Sequence, residues 1–426
     1  MTAVAVLGAG PAGLAAAWRA ALAGHDVTVH ERGDHPGGMA SSFDLAGLRV
    51  DHGSHRLHPA TDPQVLAELQ RLLGADLQWR PRNGRIRLEG RWVKFPLSLP
   101  DLVRHAPPSF AAGVARDTVT SPLRGPRADT FAEVVRAQLG PTMLHRFYGP
   151  YARKIWGREP EELSGEQARR RIAASSPLGL VRKAVRRRPA GFWYPRHGFG
   201  QLSDRLADAA VDAGAKLRFG SEITTLDGLD ADIVLSTIPI TALARIAGGP
   251  AVDLEWRALV LVYLVLDRHQ WTPWDAHYLP GPETPATRIS EPRNYRDRPE
   301  DPDGRTVLCV EVPCQVGDVT WSASADALGT IVDGVEPVDV VVRRLPKAYP
   351  IYTVGFEREV AKLDAWSSTV PDVVSFGRGG LFAHDNTHHA LAEGFAAADA
   401  LGRDGRWDAA SWSAARERFA QHVVED

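Results

Sequence analysis

The opening stretch of the chain, residues 3 to 38, constrains the fold more than any other feature. An apolar run at Ala3–Leu7 has the composition of a strand that is buried on both faces of a parallel sheet. A glycine-rich turn follows, and the next segment, up to residue 23, is rich in alanine and predicts a helix. Residues 27–30 predict a second strand. This order is that of the first half of a doubly wound α/β sheet.

The glycine turn has the spacing G-x-G-x-x-G, at Gly8, Gly10 and Gly13. Gly8 allows the tight turn, Gly10 lets the backbone approach a pyrophosphate, and Gly13 lets the helix pack closely on the strand. Pro11 and Ala12 begin the helix, whose free amide groups attract phosphate charge. The spacing alone is weak evidence, but the strand before it and the helix after it predict a dinucleotide-binding site.

An acidic residue at the end of the second strand, Glu31, is placed to accept hydrogen bonds from an adenosine ribose. Arg32 follows it, and Gly37, Gly38 and Met39 complete an E-x(5)-G-G pattern. This pattern resembles the FAD-binding signature of the superfamily of amine oxidases, protoporphyrinogen oxidases and UDP-galactopyranose mutases. The resemblance implies that these residues hold non-covalent FAD. The plainer interpretation is that the glycines only form a loop.

Composition and charge agree with a soluble enzyme of more than one domain. At 426 residues the chain is too long for one compact core, which predicts two or three domains. Its net charge of -2 argues against a general nucleic-acid binder. The longest apolar run, residues 258–266, is too short for a membrane span. Because the first strand begins near the N-terminus, we expect no signal peptide and a cytoplasmic location.

Two histidines follow a short predicted hairpin, in a G-x-H-x-x-H pattern at Gly53, His55 and His58. The pattern resembles the segment that lies against the isoalloxazine ring in UDP-galactopyranose mutases. By that resemblance, His58 faces the reactive side of the flavin. Taken alone, two histidines three residues apart are more often loop residues. We expect no metal site, because no further ligand residue lies nearby at the usual spacing.

A second resemblance to the mutases covers the aromatic stretch around Tyr151 and Trp156. In that family the corresponding aromatic faces lie against the uridine and near the sugar, so the resemblance implies a substrate site here. The alternative is that both side chains belong to the core. A basic run at residues 182–188 is interpreted as a solvated face, and its role stays open.

Two later segments resemble mutase segments that meet the adenine of the cofactor and the phosphates of the substrate. Residues 223–226 predict a strand, and the resemblance places the backbone of Ile223 against the adenine. Arg288 lies in a T-R-I-x-E pattern and corresponds to a phosphate-facing arginine, a residue suited to bidentate binding of phosphate or carboxylate. If the substrate is neutral, we expect Arg288 to pair with an acid such as Glu291.

The last segment that resembles the superfamily is a predicted strand ending at Gly377 and Arg378, followed by a helix. In the family this helix starts beneath the pyrimidine edge of the flavin. Asn386 is predicted to cap it. The amide of Thr387 is predicted to face flavin N1 and O2, where the helix dipole stabilises the negative charge of reduced flavin. Three more residues are predicted to contact the substrate: Tyr349, Tyr352 and His384.

These segments predict an α/β protein with a discontinuous, Rossmann-like FAD-binding domain. Its pieces are residues 1–60, 193–250 and 370–426. A substrate domain built on an antiparallel sheet comprises residues 61–100 and 251–369. Residues 101–192 are predicted to be a helical insertion.

The chain departs from the mutases at two places. Where they have several tyrosines after the Gly-Arg pair, this chain has Phe382, His384 and Asp385, and Ser175 stands where they have an arginine. Phenol and guanidinium groups donate strong hydrogen bonds in a pyrophosphate site, so their loss predicts a different substrate.

Three interpretations of the function remain. The first is an FAD-dependent oxidoreductase that passes a hydride from a small-molecule substrate to flavin N5. A sugar-linked molecule is one candidate for this substrate. The redox partner of this enzyme is then oxygen or NAD(P)H. The second is a non-redox mutase that uses reduced FAD on a nucleotide sugar, and the third is a non-catalytic FAD-binding protein. For either enzyme we assign catalytic roles to His58, Arg288 and Tyr349.

Overall fold

The computed structural model describes residues 1–120, 129–172 and 191–424 of the protein. The strands of these residues, numbered in chain order, are β1 Ala3–Leu7, β2 Asp26–His30, β3 Ser42–Leu45, β4 Leu48–Asp51, β5 Leu77–Pro81, β6 Gly84–Leu88, β7 Arg91–Phe95, β8 Gly191–Pro195, β9 Lys216–Arg218, β10 Ile233–Ser236, β11 Glu255–Leu266, β12 Ala276–Tyr278, β13 Arg288–Ser290, β14 Thr306–Cys314, β15 Asp339–Ile351 and β16 Val373–Ser375.

The α-helices of the same residues lie between the strands and at the C-terminal end. They are Pro11–Leu22, Pro63–Leu73, Leu99–His105, Pro108–Val119, Phe131–Leu139, Pro141–Met143, Gly149–Trp156, Gly165–Arg171, Gln201–Asp212, Ile240–Ile246, Val319–Ser322, Ala325–Gly329, Phe356–Ser367, Gly377–Gly380, Thr387–Ala400 and Ala409–Phe419. A π-helical turn at Leu144–Tyr148 precedes the helix that begins at Gly149.

The first sheet has five strands in the order β16-β10-β1-β2-β9, and every neighbouring pair is parallel. Its strands come from three separate parts of the chain. One face, which includes Val4 and Val27, is covered by helices, among them Pro11–Leu22 and Thr387–Ala400. The other face, which includes Leu7, packs against a loop segment. Both faces are covered, which explains the continuous apolar character of β1.

The second sheet has seven strands in the order β15-β11-β14-β13-β12-β6-β7. Its pairs are antiparallel except for β12 with β6, which is parallel. Alternate residues of β11 enter two different clusters, Val260 and Val262 on one face and Leu261 and Tyr263 on the other. The long apolar run near residue 260 is therefore a strand in the interior of the sheet that is covered on both faces, and not a membrane-spanning segment.

The helices between residues 99 and 171 form a core of their own. Phe131, Val135 and Leu139 come from one face of a single helix, because residues four apart lie on the same side of an α-helix. They pack with Ile155 and with Ile351 at the end of β15. This cluster joins the helices to the seven-stranded sheet.

The predicted strand at residues 223–226 is wrong, because the described residues there are not in a strand. The segment touches the sheet mainly through side chains. The Ser221 amide donates to the Glu31 carbonyl oxygen at 2.8 Å, and Ile223 and Leu226 then pack on Ala5 and Leu7. Its apolar residues cover one face of the parallel sheet and do not extend it.

The fold is mixed α/β, with one parallel and one largely antiparallel sheet. The predicted domain bounds remain a prediction. No helix in the described part of the chain is long and apolar enough to cross a membrane.

Candidate functional site

A cavity of about 840 Å³ has walls from both large sheets. The turn after β1 supplies Gly10 at one end. β13, β14 and β15 supply Arg288, Glu311 and Tyr349. One space therefore connects the predicted cofactor site with the predicted substrate site.

The glycine turn leaves open space beside the N-terminus of the helix that begins at Pro11. Gly10, Pro11 and Ala12 line the cavity. Apart from its neighbours in the chain, no atom of the described residues lies within 4 Å of the position that a Cβ on Gly10 would take, and none of their side chains caps the first amides of the helix. Open space beside uncapped amides at a helix N-terminus suits a pyrophosphate.

Gly8 and Gly13 hold the turn in this shape. Gly8 has φ +101°, a conformation that favours glycine. A Cβ on Gly13 would overlap the carbonyl oxygen of Gly8. The helix can pack this closely on the turn only because residue 13 has no side chain.

The Glu31 carboxylate lies beside the turn and is fixed by two backbone amides. It accepts hydrogen bonds from Ala9 N at 2.9 Å and Gly33 N at 2.8 Å. The described wall of the cavity does not include Glu31, and Arg32 is exposed. Glu31 keeps lone pairs for a ribose hydroxyl at the outer end of the site, where its predicted role stays a prediction.

The second glycine pair closes over the same turn. Gly37 has φ +106°, and its amide donates to the Ala9 carbonyl oxygen at 2.8 Å. Gly37 and Met39 line the cavity, whereas Gly38 is exposed. The E-x(5)-G-G segment thus folds back on the glycine turn.

A second helix N-terminus faces the middle of the cavity. Asn386 is the N-cap residue of the helix Thr387–Ala400. Asn386 and Thr387 line the cavity, as do Gly377 and Arg378. The positive end of this helix therefore points to the space in which negative charge would develop on a reduced flavin.

The two predicted histidines lie in the same part of the wall. His58 stacks on His388 with ring centroids 5.6 Å apart, and its Nδ1 accepts from Ala60 N at 3.1 Å. Burial lowers the pKa of His55. Neutral His55 donates from Nε2 to the His52 carbonyl oxygen at 3.0 Å.

These features fit FAD. The open cradle at Gly10 suits its pyrophosphate, Glu31 suits its ribose, and the N-terminus at Thr387 suits its pyrimidine edge. Ile223 lies outside the described wall, half-buried beside β1, and its contact with adenine stays a prediction.

Aromatic side chains form the predicted substrate end. Tyr151 and Tyr349 line the cavity. Trp156 lies behind them, fully buried, in a T-shaped contact with Tyr349 at 5.9 Å between ring centroids. Burial raises the pKa of Tyr349. Trp156 therefore packs behind Tyr349, and its predicted contact with substrate stays a prediction.

Tyr352 and His384 are not among the described residues that line the cavity, and their predicted contact with substrate stays a prediction. Tyr352 donates from its hydroxyl to the Phe382 carbonyl oxygen at 2.9 Å and stacks on Phe356. His384 is buried and lies 3.0 Å from the Gln167 side chain. The Tyr352 hydroxyl is therefore satisfied inside the protein, whereas Nδ1 of His384 is buried without a hydrogen-bond partner among the described residues.

Arg288 lines the cavity, but its partner is not the predicted one. It donates to Glu311 through Nε at 2.9 Å and Nη2 at 2.8 Å. Glu291 is buried elsewhere and accepts from the amides of Trp271 and Thr272. The pairing with Glu291 is wrong, because β13 points alternate side chains to opposite faces of the sheet.

Three further arginines of the wall were not predicted as site residues: Arg56, Arg82 and Arg171. Arg56 and Arg82 both approach Asp275, with nitrogen-to-oxygen distances of 3.3 Å and 3.8 Å. Arg171 ends the helix Gly165–Arg171 and lies over the Trp156 ring at 5.4 Å. Arginines in turns and at helix ends are usually solvated, so the sequence carried no signal that separated these from others.

Positive charge exceeds negative charge at the substrate end. Arg378 donates to the carbonyl oxygens of Asp385 and Ala348 at 3.0 Å and 2.8 Å. Burial lowers the pKa of Arg378. In the described part of the chain, neither Arg171 nor Arg378 forms an ion pair with a carboxylate. Ser175 and the basic run at 182–188 lie outside the described residues.

Comparisons with known proteins agree with this geometry. The family of flavin containing amine oxidoreductases matches residues 11–383. The chain is 26% identical over 458 residues to the coproporphyrinogen III oxidase of Propionibacterium freudenreichii subsp. freudenreichii, covering 84% of this chain and 83% of that protein.

Solved structures share the fold. A reduced UDP-galactopyranose mutase superposes with a TM-score of 0.79 at 20% identity, covering 94% of this chain and 93% of that one. A putative protoporphyrinogen oxidase from Exiguobacterium sp. 255-15 superposes with a TM-score of 0.74 at 19% identity, covering 94% and 98%.

Proposed function

The chain belongs to the family of flavin containing amine oxidoreductases and is an FAD-dependent oxidoreductase, and on this premise we propose that it oxidises a small anionic molecule by hydride transfer to flavin N5. The observation that carries this proposal is the surplus of arginine at the substrate end. Arg171 and Arg378 line the cavity, and neither is neutralised by a carboxylate of the described residues. Buried or half-buried guanidinium groups of this kind are suited to bind a carboxylate or phosphate.

The side chains that line the cavity have different roles in this proposal. Arg171 and Arg378 bind the anionic group of the substrate. Tyr151 and Tyr349 pack against its apolar part and fix its distance from the cofactor. His58 lies at the cofactor part of the wall and adjusts the polarity around the reacting bond.

Bound FAD would supply the acceptor for the hydride, which carries both electrons. The substrate loses a hydride from a C–H bond and a proton from the adjoining atom. Oxygen then takes the electrons in an oxidase cycle. The helix that begins at Thr387 stabilises the negative charge that the cofactor gains.

The reaction type is tested by mixing the purified protein anaerobically with candidate anionic substrates and following the flavin absorbance. A substrate that bleaches the flavin without any added reductant supports the proposal. If turnover instead needs prior reduction by dithionite or NADPH and produces an isomer without net oxidation, the protein is a mutase of a nucleotide sugar and the proposal is wrong.

The anion site is tested by comparing Arg171→Gln with Arg169→Gln. Arg169 is a matched control, because it lies on the same helix but is half-exposed and paired with Glu166 at 2.9 Å. We expect Arg171→Gln to weaken binding of an active substrate by roughly 2 to 5 kcal/mol, the range for truncating one partner of a buried charge pair. FAD content is expected to stay unchanged in both. Equal affinity in the two variants would contradict an anion site at Arg171.

A further inference from the structure

We propose that Asp385, His389 and His422 form a binding site for a divalent transition metal, with zinc as the best match to their ligand atoms, and that Glu393 supplies a fourth ligand. The first two residues flank the start of the helix Thr387–Ala400, and His422 comes from the segment after the last helix. The donor atoms of Asp385, His389 and His422 all lie within 4.8 Å of one another.

The distances between these atoms suit a tetrahedral ion. Asp385 Oδ1 lies 3.4 Å from His389 Nδ1 and 2.9 Å from His422 Nδ1. His422 Nδ1 lies 3.9 Å from Glu393 Oε1. With zinc-to-ligand distances of about 2.0 to 2.2 Å, neighbouring ligand atoms in a tetrahedron lie about 3.4 Å apart. These three distances bracket this value, whereas Glu393 lies outside the group of donor atoms that are all within 4.8 Å of one another, so its side chain would have to move to complete the site.

Glu393 is an independent indication that a cation belongs here. Its side chain has no solvent exposure, and Oε1 has no hydrogen-bond partner among the described residues. Its other oxygen is fixed, because Oε2 accepts from the Gly377 amide at 2.7 Å. The carboxyl group is thus held with Oε1 beside the cluster, 3.9 Å from His422 Nδ1.

The charges also balance with a divalent ion. Asp385 and Glu393 are both buried. A divalent cation would neutralise both carboxylates, and imidazole nitrogen with carboxylate oxygen is a ligand set that zinc accepts.

The backbone around His422 is positioned by contacts that do not involve the cluster. Arg170 Nη1 donates to the His422 carbonyl oxygen at 2.8 Å, and Val424 N donates to the Arg170 carbonyl oxygen at 2.9 Å. The His422 ring stacks on His389 with centroids 4.0 Å apart. The competing partner of His389 Nδ1 is the Asn386 amide at 3.3 Å, a long hydrogen bond that a metal bond would replace. The ion would tie the C-terminal segment to the helix beside the cavity.

The test uses the untagged full-length holoenzyme, treated with a chelator and dialysed. Zinc chloride is titrated by calorimetry, and bound zinc is counted by mass spectrometry. We expect one tight site per chain and at least a tenfold weaker affinity in His422→Gln, since even outer-shell changes at zinc sites cost about ten- to a hundredfold. His105→Gln is the matched control, because His105 is exposed and lies on a distant helix beside Asp101.

The absence of zinc binding by the wild type, or equal affinity in the wild type and His422→Gln, would overturn the site. FAD content and circular dichroism check that the variants are folded. If His422→Gln does not fold, Glu393→Gln is tested in its place. Its side-chain amide oxygen can still accept the hydrogen bond from the Gly377 amide. Zinc affinity that is unchanged in Glu393→Gln would exclude Glu393 as a ligand and overturn the proposal in its four-ligand form.

Discussion

The arginines around the cavity differ in what neutralises each of them. Arg288 is held in a bidentate pair by Glu311, whose side chain is almost fully buried. Glu311 also accepts from the Ser54 amide at 2.8 Å. Arg171 and Arg378 have no such carboxylate among the described residues. Glu311 therefore neutralises Arg288, and under the proposed function the substrate anion would be bound by Arg171 and Arg378.

We expect Arg288→Met to destabilise the protein by about 3 to 5 kcal/mol, because it leaves the Glu311 carboxylate buried without a counter-charge. The double variant Arg288→Met/Glu311→Gln should recover most of this loss, since glutamine still accepts from Ser54. Urea unfolding midpoints measure both changes. A single variant as stable as the wild type would show that the pair is not a buried ion pair in solution.

His58 contributes a polar ring to the cofactor part of the wall. We expect His58→Ala to slow turnover or shift the flavin absorbance while FAD stays bound, because the cradle at Gly10 and the helix at Thr387 are untouched. Flavin spectra and turnover of His58→Ala are compared with those of His105→Ala, a surface control. Loss of FAD from His58→Ala would assign this residue to cofactor retention instead.

At the scale of elements, the glycine turn contains two glycines that are required for different reasons. A Cβ on Gly13 would overlap the Gly8 carbonyl oxygen, whereas a Cβ on Gly10 meets no atom of the described residues apart from its neighbours in the chain. We expect Gly13→Ala to lower both stability and FAD content, and Gly10→Ala to lower FAD content alone. Melting temperature and the ratio of flavin to protein separate the two. Full FAD content in Gly10→Ala would contradict a close approach of the pyrophosphate.

Strand β12 carries a buried histidine, His277, whose ring contacts those of Trp92, Trp271 and Trp274. Burial lowers its pKa from 6.5 to about 4. Between these values the unfolded chain binds a proton that the folded chain does not, so stability is complete above pH 6.5 and falls as the pH drops toward 4.

From this shift we expect His277 to account for a loss of roughly 3 kcal/mol over that pH window. In His277→Phe, which keeps a ring of similar size, stability should fall less steeply with decreasing pH. Urea unfolding at several pH values in the window measures the slope. An identical slope in the wild type and His277→Phe would show that this ring is not held neutral by burial.

At the scale of the whole molecule, FAD would lie between segments that are far apart in sequence, since the cavity wall includes Gly10, His55, Thr237, Gly377 and Thr387. Such a site holds its cofactor by many non-covalent contacts. We expect acid precipitation to release all of the flavin as FAD, leaving a colourless pellet. Flavin that stays with the pellet, or that is released as FMN, would contradict this prediction.

The sequence by itself determined those parts of the fold in which the spacing of a few neighbouring residues permits only one local structure. The turn at Gly8, Gly10 and Gly13 follows from steric limits on the backbone, and the strand and helix beside it follow from their apolar patterns. The first strand–helix–strand unit and the prediction of a dinucleotide cofactor are of this kind, because their signal lies within about thirty neighbouring residues.

Only the tertiary structure decided which polar side chains meet across the chain. Arg288 pairs with Glu311 and not with the nearby Glu291, because the alternation along β13 separates the two. His422 reaches His389 only after the C-terminal segment folds back. Charge–charge pairing and metal ligation depend on distance in space, and distances between remote residues are set by packing of whole elements rather than by any local pattern.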